Sequence, residues 1–371
     1  MRVRTKPVRL SDYTTLRLGG PAARLVEAET ADDLVAVVRA ADQRAEPLLV
    51  LGGGSNLVVA DQGFPGTVAR VGTSGITVAA VPGIGERVLV TVAAGENWDH
   101  LVEWTVAEKL AGLECLAGIP GLAGATPIQN VGAYGQEVAS AIESVRVLDR
   151  ETSLVATLTG AQCGFGYRTS AFKAAAYRPP GGTGPAGGTG RYVVLDVSFR
   201  LERDPMSVPV RYAELAAKLG VATGERAPLA DVRDAVLQLR RVKGMVLDPQ
   251  DPDTVSAGSF FTNPVLDRRQ LAELQRAVTA RSPGLTVPAF PAPGDQVKVP
   301  AAWLIEQAGF GKGYPGAGAA RISAKHTLAL TNRGGASTAE LLRLARQIVA
   351  GVRSAFGVEL TNEPVLVGVR L

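Results

Sequence analysis

Between residues 118 and 135 the chain runs Gly118-Ile119-Pro120-Gly121-Leu122-Ala123-Gly124-Ala125-Thr126-Pro127-Ile128-Gln129-Asn130-Val131-Gly132-Ala133-Tyr134-Gly135. That density of glycine and proline rules out a stable helix, and so apolar a stretch is unlike an ordinary solvated loop. It suits backbone wrapped against a large flat ligand; a packed structural loop is the plainer alternative. A shorter run, Gly52-Gly53-Gly54 followed by Ser55 and Asn56, comes directly after the apolar residues 47–51. Consecutive glycines let successive amide N–H groups point into one concavity, which suits a pyrophosphate, although a hairpin-like turn would use the same residues. Residues 57–59 resume as apolar strand rather than helix, so a Rossmann fingerprint fails on context. Gly311-Lys312-Gly313 lacks the Ser or Thr of a P-loop, which disfavours nucleotide triphosphate hydrolysis.

The rest of the composition narrows the classes further. With 371 residues, 46% hydrophobic and 20% charged, the chain has apolar material for two or three domains rather than one small core. A formal charge of +4, spread over interleaved acids and bases, fits an anionic small ligand better than nucleic acid. Cys115, Cys163, His100 and His326 lie far apart without ligand spacing, so neither a zinc site nor a disulfide framework is expected. A reducing cytoplasm is the natural setting. Residues 1–15 are basic without the apolar stretch of a signal peptide, and no run of roughly 18 apolar residues predicts a membrane span.

Periodicity places the elements. Thr30, three residues before Asp33, opens a helix whose Leu34, Val35, Val37, Val38 and Ala41 recur at helical spacing. With strands at 47–51 and 57–60 it reads as an early βαβ-like unit. Further strands are expected at 87–94, 144–148, 154–158 and 192–201, with a helix over 98–111 closed by Gly112. Residues 179–190, rich in Pro, Gly and Thr, read as a flexible surface loop. After a composition shift at 204–207, helices are expected over 229–242, 267–280 and 337–356. The last has Ser337 and Glu340 as a capping box and Gly357 as its stop. Alternating helices and strands argue for α+β or α/β domains.

Four motifs, in order, carry a family resemblance: Leu51 to Leu57, Gly118 to Gly135, Tyr167-Arg168-Thr169-Ser170, and Gly258-Ser259-Phe260-Phe261-Thr262-Asn263-Pro264. Together they resemble the UDP-N-acetylenolpyruvoylglucosamine reductases, from about residue 10 to the C-terminus. The resemblance implies an α+β chain. Its first half would be an FAD-binding domain of the vanillyl-alcohol-oxidase/PCMH type in two α/β subdomains, residues 1–72 and 73–203. Residues 204–371 would form an α+β substrate-binding domain, its last segment packing back on the first subdomain. The implied reaction reduces an enolpyruvyl ether of a UDP-sugar, with NADPH as hydride source and FAD as carrier. Neither histidine lies in a glycine loop of the first domain, so non-covalent FAD is expected. A cytoplasmic monomer without nucleic-acid or membrane partners completes the expectation.

The resemblance also assigns residues. Flavin contacts fall on Gly52, Gly53, Gly54, Ser55 and Asn56, and on Gly118, Ile119, Pro120, Gly121, Gly124, Ala125, Gln129, Asn130, Gly132, Ala133 and Tyr134. Arg168 matches the arginine that would grip the substrate carboxylate and steady the developing enediolate. Ser259 matches the proton donor, with Lys298 a candidate to polarise its hydroxyl. Glu363 matches a glutamate beside the carboxylate, helpful when protonated. Some relatives carry an arginine two positions later, where this chain has Val365. Tyr212 matches a tyrosine that closes over the UDP group in type I members, and Tyr167, Lys243, Asn263 and Gln307 match further substrate contacts. His326 reads as structural. An oxidase of sugar lactones and a non-catalytic nucleotide-sugar binder are the rival readings.

Overall fold

In the computed structural model of the chain, which describes residues 2–4, 8–80, 86–177 and 188–371, Thr30 does cap a helix. Its hydroxyl accepts from the Asp33 amide at 3.1 Å, and helix Ala31–Gln43 buries Leu34, Val35, Val37, Val38 and Ala41. The Asp33 carboxylate in turn accepts from the Glu29 amide at 3.3 Å. Residues 179–187 of the Pro- and Gly-rich segment lie outside the described residues.

The chain divides into two compact units. The first comprises residues 1–9, 21–54 and 63–247. It contains a sheet in which Phe64–Val71 lies between Pro21–Ala28 and Leu48–Leu51, all parallel; Arg2–Arg4 and Val8–Arg9 add antiparallel to Pro21–Ala28. A second, antiparallel sheet runs Leu154–Thr159, Ile142–Asp149, Tyr192–Arg203, Arg87–Ala93, Ile76–Ala80. Along Arg87–Ala93 only Val88, Val90 and Val92 are fully buried, the period of two that seats one face of a sheet on a core. Helix Trp98–Ala107 is shorter than its periodicity suggests. Lys109 turns to φ +57°, and Leu110–Ala111 pairs instead with the long strand Tyr192–Arg203. Gly112 follows that strand and does not cap the helix.

This unit runs on to Leu247, past the boundary expected after residue 203. Helices Ala213–Leu219 and Leu229–Val242 belong to it, and Leu215, Val232 and Val236 share a core with Trp98 and Leu101.

The second unit comprises residues 10–20, 55–62 and 248–371. Leu57–Val59 therefore does not continue the first sheet as a βαβ unit would; it pairs in parallel with Val365–Val367 near the chain end. The last segment thus returns to a piece of the first 72 residues, but one that clusters with the C-terminal unit. Thr338 fixes the same piece, its hydroxyl donating to the Val59 carbonyl at 2.6 Å. Two three-stranded antiparallel sheets complete the unit: Ser256–Ser259, Ala329–Asn332, Ala320–Ile322; and Val265–Leu266, Gln296–Lys298, Phe290–Ala292. Helices Arg268–Arg281 and Thr338–Phe356 both begin with reciprocal capping boxes, Asp267 with Gln270 and Ser337 with Glu340. Gly357, at φ +68°, ends the second. A further helix, Ala301–Gln307, is only seven residues long and has no side-chain cap at Pro300 to mark it in the sequence. Among the described residues no helix is long and apolar enough to cross a membrane, and no group of three His, Cys, Asp or Glu could hold a metal. Both cysteines are buried and free.

Candidate functional site

In the first unit the two glycine loops meet backbone to backbone. A Cβ on Gly53 would stand 2.8 Å from the Gly121 Cα, so only glycine lets these strands of chain approach. The longer loop is held by the first turn of helix Trp98–Ala107 and by the residues that lead into it. Asp99 accepts from the Gly118 amide (2.6 Å), the Trp98 amide donates to Gly121 O (3.1 Å), and the Trp98 indole donates to Leu116 O (3.0 Å). Ala123 and Gly124 donate to the carbonyls of Glu96 and Ala94. Gly52, Gly53 and Gly54 lie in this unit, with Ile119, Pro120, Ala125 and the other residues of the long loop; Ser55 and Asn56 fall in the second unit. There the Asn56 carbonyl accepts from Val365 at 2.9 Å, so position 365 serves strand pairing.

Arg168 sits at φ +53°, an unusual conformation for a side chain of this size, and closes onto the same loop. Its guanidinium donates to Gly132 O at 2.7 Å and to Asn130 O at 3.2 Å, and lies over the Tyr167 ring at 5.7 Å. Ser170 donates to Ile128 O at 2.7 Å, and Lys173 reaches both Gln129 and the Arg168 carbonyl. The buried Asn130, at φ +45°, donates to Glu137 and Gly166 and accepts from Ala139. The Tyr167–Ser170 motif and the loop from 128 to 134 are therefore one hydrogen-bonded assembly.

Three further predicted residues converge in this unit. Tyr134 packs edge-on against Tyr212, centroids 5.5 Å apart at 87°. The Lys243 ammonium lies 5.5 Å from the Tyr134 ring centroid and pairs with Glu214 at 2.7 Å. Burial pushes the Tyr134 phenol up, against the pull of Lys243 and Arg240. Burial works against the Lys243 charge, but the Glu214 hydrogen bond, with Tyr134 and Glu214 charge, carries its pKa above the usual range. Arg240, under the same loop, is pushed down to about 10 by burial.

In the second unit Ser259 ends strand Ser256–Ser259. The pairing with Ala329–Asn332 slips between Ser256 and Ser259, and Gly258 stands at φ +72°; such a bulge re-aims the side chain that follows. The buried Phe260–Phe261 pair, centroids 5.1 Å apart, anchors the next residues. Glu363 is brought to this place: its amide donates to Phe260 O at 2.8 Å, beside the bridge Phe261–Asn362. Asn263 accepts from the Ala301 amide at 2.9 Å and so starts helix Ala301–Gln307, which ends at the exposed Gln307. Lys298 lies opposite Val265 and Phe290 in its sheet. His326 is half-buried, its amide bonded to Ser323.

Asp99, Glu137, Glu214 and Glu114 carry no motif that marks them in the sequence. Asp99 follows the N-cap Asn97, so it read as ordinary helix-start acidity. Glu114 is buried and bridges the amides of Gly112 and Val208, both at 2.7 Å. Its only sequence signal is a lone carboxylate amid apolar neighbours.

Similarity to known proteins extends over nearly the whole chain. Residues 22–158 match the family model described as FAD binding domain, and residues 249–367 that of the UDP-N-acetylenolpyruvoylglucosamine reductase C-terminal domain. The UDP-N-acetylenolpyruvoylglucosamine reductase of Thermobifida fusca is 56% identical over 98% of each chain. That of Mycolicibacterium smegmatis is 49% identical over 97% of this chain and 94% of its own. The crystal structure of the Thermus caldophilus enzyme of that name superposes with a TM-score of 0.62 at 27% identity, covering 99% of this chain and 100% of its own.

Proposed function

The chain belongs to the UDP-N-acetylenolpyruvoylglucosamine reductase family, and from that premise we propose that it reduces UDP-N-acetyl-enolpyruvoylglucosamine to UDP-N-acetylmuramate. The electrons come from NADPH by way of FAD, in the cytoplasm, as a step towards peptidoglycan precursors. The chain is a type I member by its Tyr212 segment and acts as a monomer.

The meeting of Gly53 with Gly121, inside the residues that match the FAD binding domain, carries this reading. A surface of bare backbone suits close approach by a pyrophosphate and a flat ring, so the residues present fit the cofactor. Residues 52–54 and 118–134 of this unit would hold it without a covalent bond, the two sheets of the first unit serving as its two subdomains. Bound there, FAD supplies hydride transfer from NADPH to the enolpyruvyl double bond.

The protein's side chains do the rest. Arg168, held by two loop carbonyls, orients the substrate carboxylate and stabilises the negative charge that grows beside it. Ser259 delivers the final proton to the carbon bearing that charge, with Lys298 polarising the hydroxyl. Glu363, whose backbone amide donates to the Phe260 carbonyl, assists at the carboxylate in its protonated form. Tyr212 and Lys243 meet the diphosphate, and Tyr167, Asn263 and Gln307 take other parts of the substrate.

The absorbance spectrum of the purified protein tests this directly. Oxidised flavin should be present, bleach with anaerobic NADPH, and return on adding the UDP-enolpyruvyl sugar. Colourless protein that takes up no FAD would overturn the cofactor; bleaching that the sugar does not reverse would overturn the substrate.

A further inference from the structure

Lys243 is not waiting unpaired for a phosphate: its ammonium is 2.7 Å from the Glu214 carboxylate. Glu214 lies two residues after Tyr212, in helix Ala213–Leu219, and Tyr212 packs on Tyr134, whose ring lies beneath the same ammonium. The four side chains form one cluster within the first unit, in which the cation touches one carboxylate and the face of one ring. An anion arriving at Lys243 meets the Glu214 charge at the same point. It must displace that carboxylate or share the ammonium with it.

We propose that Glu214 is a displaceable counter-ion: it neutralises Lys243 in the absence of substrate and gives way to the diphosphate of the UDP-sugar. The inference rests on the reading of Lys243 and Tyr212 as diphosphate contacts. Two consequences follow from the charges. Breaking the pair lowers the affinity of a diphosphate that must reach the ammonium and leaves a neutral nucleoside unaffected, so Glu214 tempers the binding of the nucleotide and not that of uridine. The carboxylate also keeps a half-buried lysine charged before the ligand arrives, and the raised Lys243 pKa agrees with this. The pair is partly solvated, with side chains 32% and 43% exposed, so its grip is modest and reversible, as a displaceable counter-ion requires.

Titration of UDP into the FAD-loaded protein, followed by calorimetry, tests the proposal with Glu214→Gln, Lys243→Gln and the double variant. Glu214→Gln should tighten UDP by roughly two- to fivefold, the scale of a half-exposed ion pair, and leave uridine unaffected. Lys243→Gln should weaken UDP, and adding Glu214→Gln to it should change nothing more, because the carboxylate acts through the ammonium. Weaker or unchanged UDP binding in Glu214→Gln, while Lys243→Gln still weakens it, overturns the counter-ion and leaves the substrate reading standing. An equal gain in the double variant overturns it too, since that is general repulsion. Should Lys243→Gln leave UDP binding intact, the assignment of Lys243 itself fails. Retained flavin absorbance in each variant certifies the fold, and Glu214→Ala repeats the measurement should the amide prove unstable.

Discussion

Gly53 in the first unit and Gly258 in the second are both glycines beside candidate site residues, yet different physics requires them. At Gly53 the backbone is unexceptional and the space is gone: an added Cβ would stand 2.8 Å from Gly121 Cα. At Gly258 the space is open, with nothing within 4 Å of an added Cβ, and the torsion is special, φ +72°. The first unit gathers its candidate residues by bringing loop against loop, and Arg168 continues that logic by bonding to loop carbonyls. The second gathers its candidate residues on a strand, turning one residue through a bulge so that Ser259 emerges beside the segment carrying Glu363. A crowded glycine protects a distance; a twisted one protects a direction.

The largest effect should come where that direction matters. Ser259→Ala should leave flavin reduction by NADPH near normal and slow reoxidation by substrate by about 10²- to 10⁴-fold, the scale of a lost general acid. Stopped-flow absorbance separates the two half-reactions; equal slowing of both would mean that the serine supports structure rather than proton transfer.

Next come the glycines themselves, each with two substitutions. Gly53→Ala should cost about 1–3 kcal/mol from overpacking, with Gly53→Asn worse, and flavin should be lost on gel filtration. Gly258→Ala should cost about 1–2 kcal/mol from the left-handed torsion, with Gly258→Asn milder than Ala because asparagine visits that region. The Gly258 variants should keep their flavin and lose the substrate half-reaction. If asparagine ranks the same way against alanine at both sites in thermal melts, the distinction between crowding and torsion collapses.

The same contrast decides what was legible in the sequence. The loop 118–135 announced itself because crowding needs many glycines together, and composition records that. A single bulge needs one glycine, so Gly258 was readable only through family resemblance. Helix Thr338–Phe356 was legible because Ser337, Glu340 and Gly357 are all local signals. Helix Ala301–Gln307 was not, since its first amide is capped by Asn263, 38 residues away in sequence. Helix Ala213–Leu219 has no side-chain cap at Tyr212, and its seven residues show too little period to read. The division into units was hidden for a similar reason: Leu57–Val59 finds its partner at Val365–Val367, and nothing local marks that pairing.

Two buried carboxylates extend the comparison to smaller effects with opposite signs. Among the described residues Glu114 in the first unit accepts from backbone amides, and burial raises its pKa above the usual 4.5 despite those bonds. The folded state then holds the proton more tightly than the unfolded chain does. This contribution to stability is complete below about pH 4.5 and is lost as pH rises through the folded pKa. Asp253 in the second unit is also buried, but bonds from Ala324, Ser323 and Arg333 outweigh that burial and lower its pKa below 3.8. Its contribution is present above that value and is lost as pH falls through the folded pKa. Denaturant titrations across pH should therefore show Glu114→Gln flattening the decline on the rising side. Asp253→Asn should weaken the protein most at neutral pH and least in strong acid. The pair of slopes is the sensitive readout, because a general effect of lost buried hydrogen bonds would lower both variants equally at every pH. Slopes of the same sign would show that Glu114 has a cationic partner after all, and that the loops of the first unit are pinned by charge as well as by backbone.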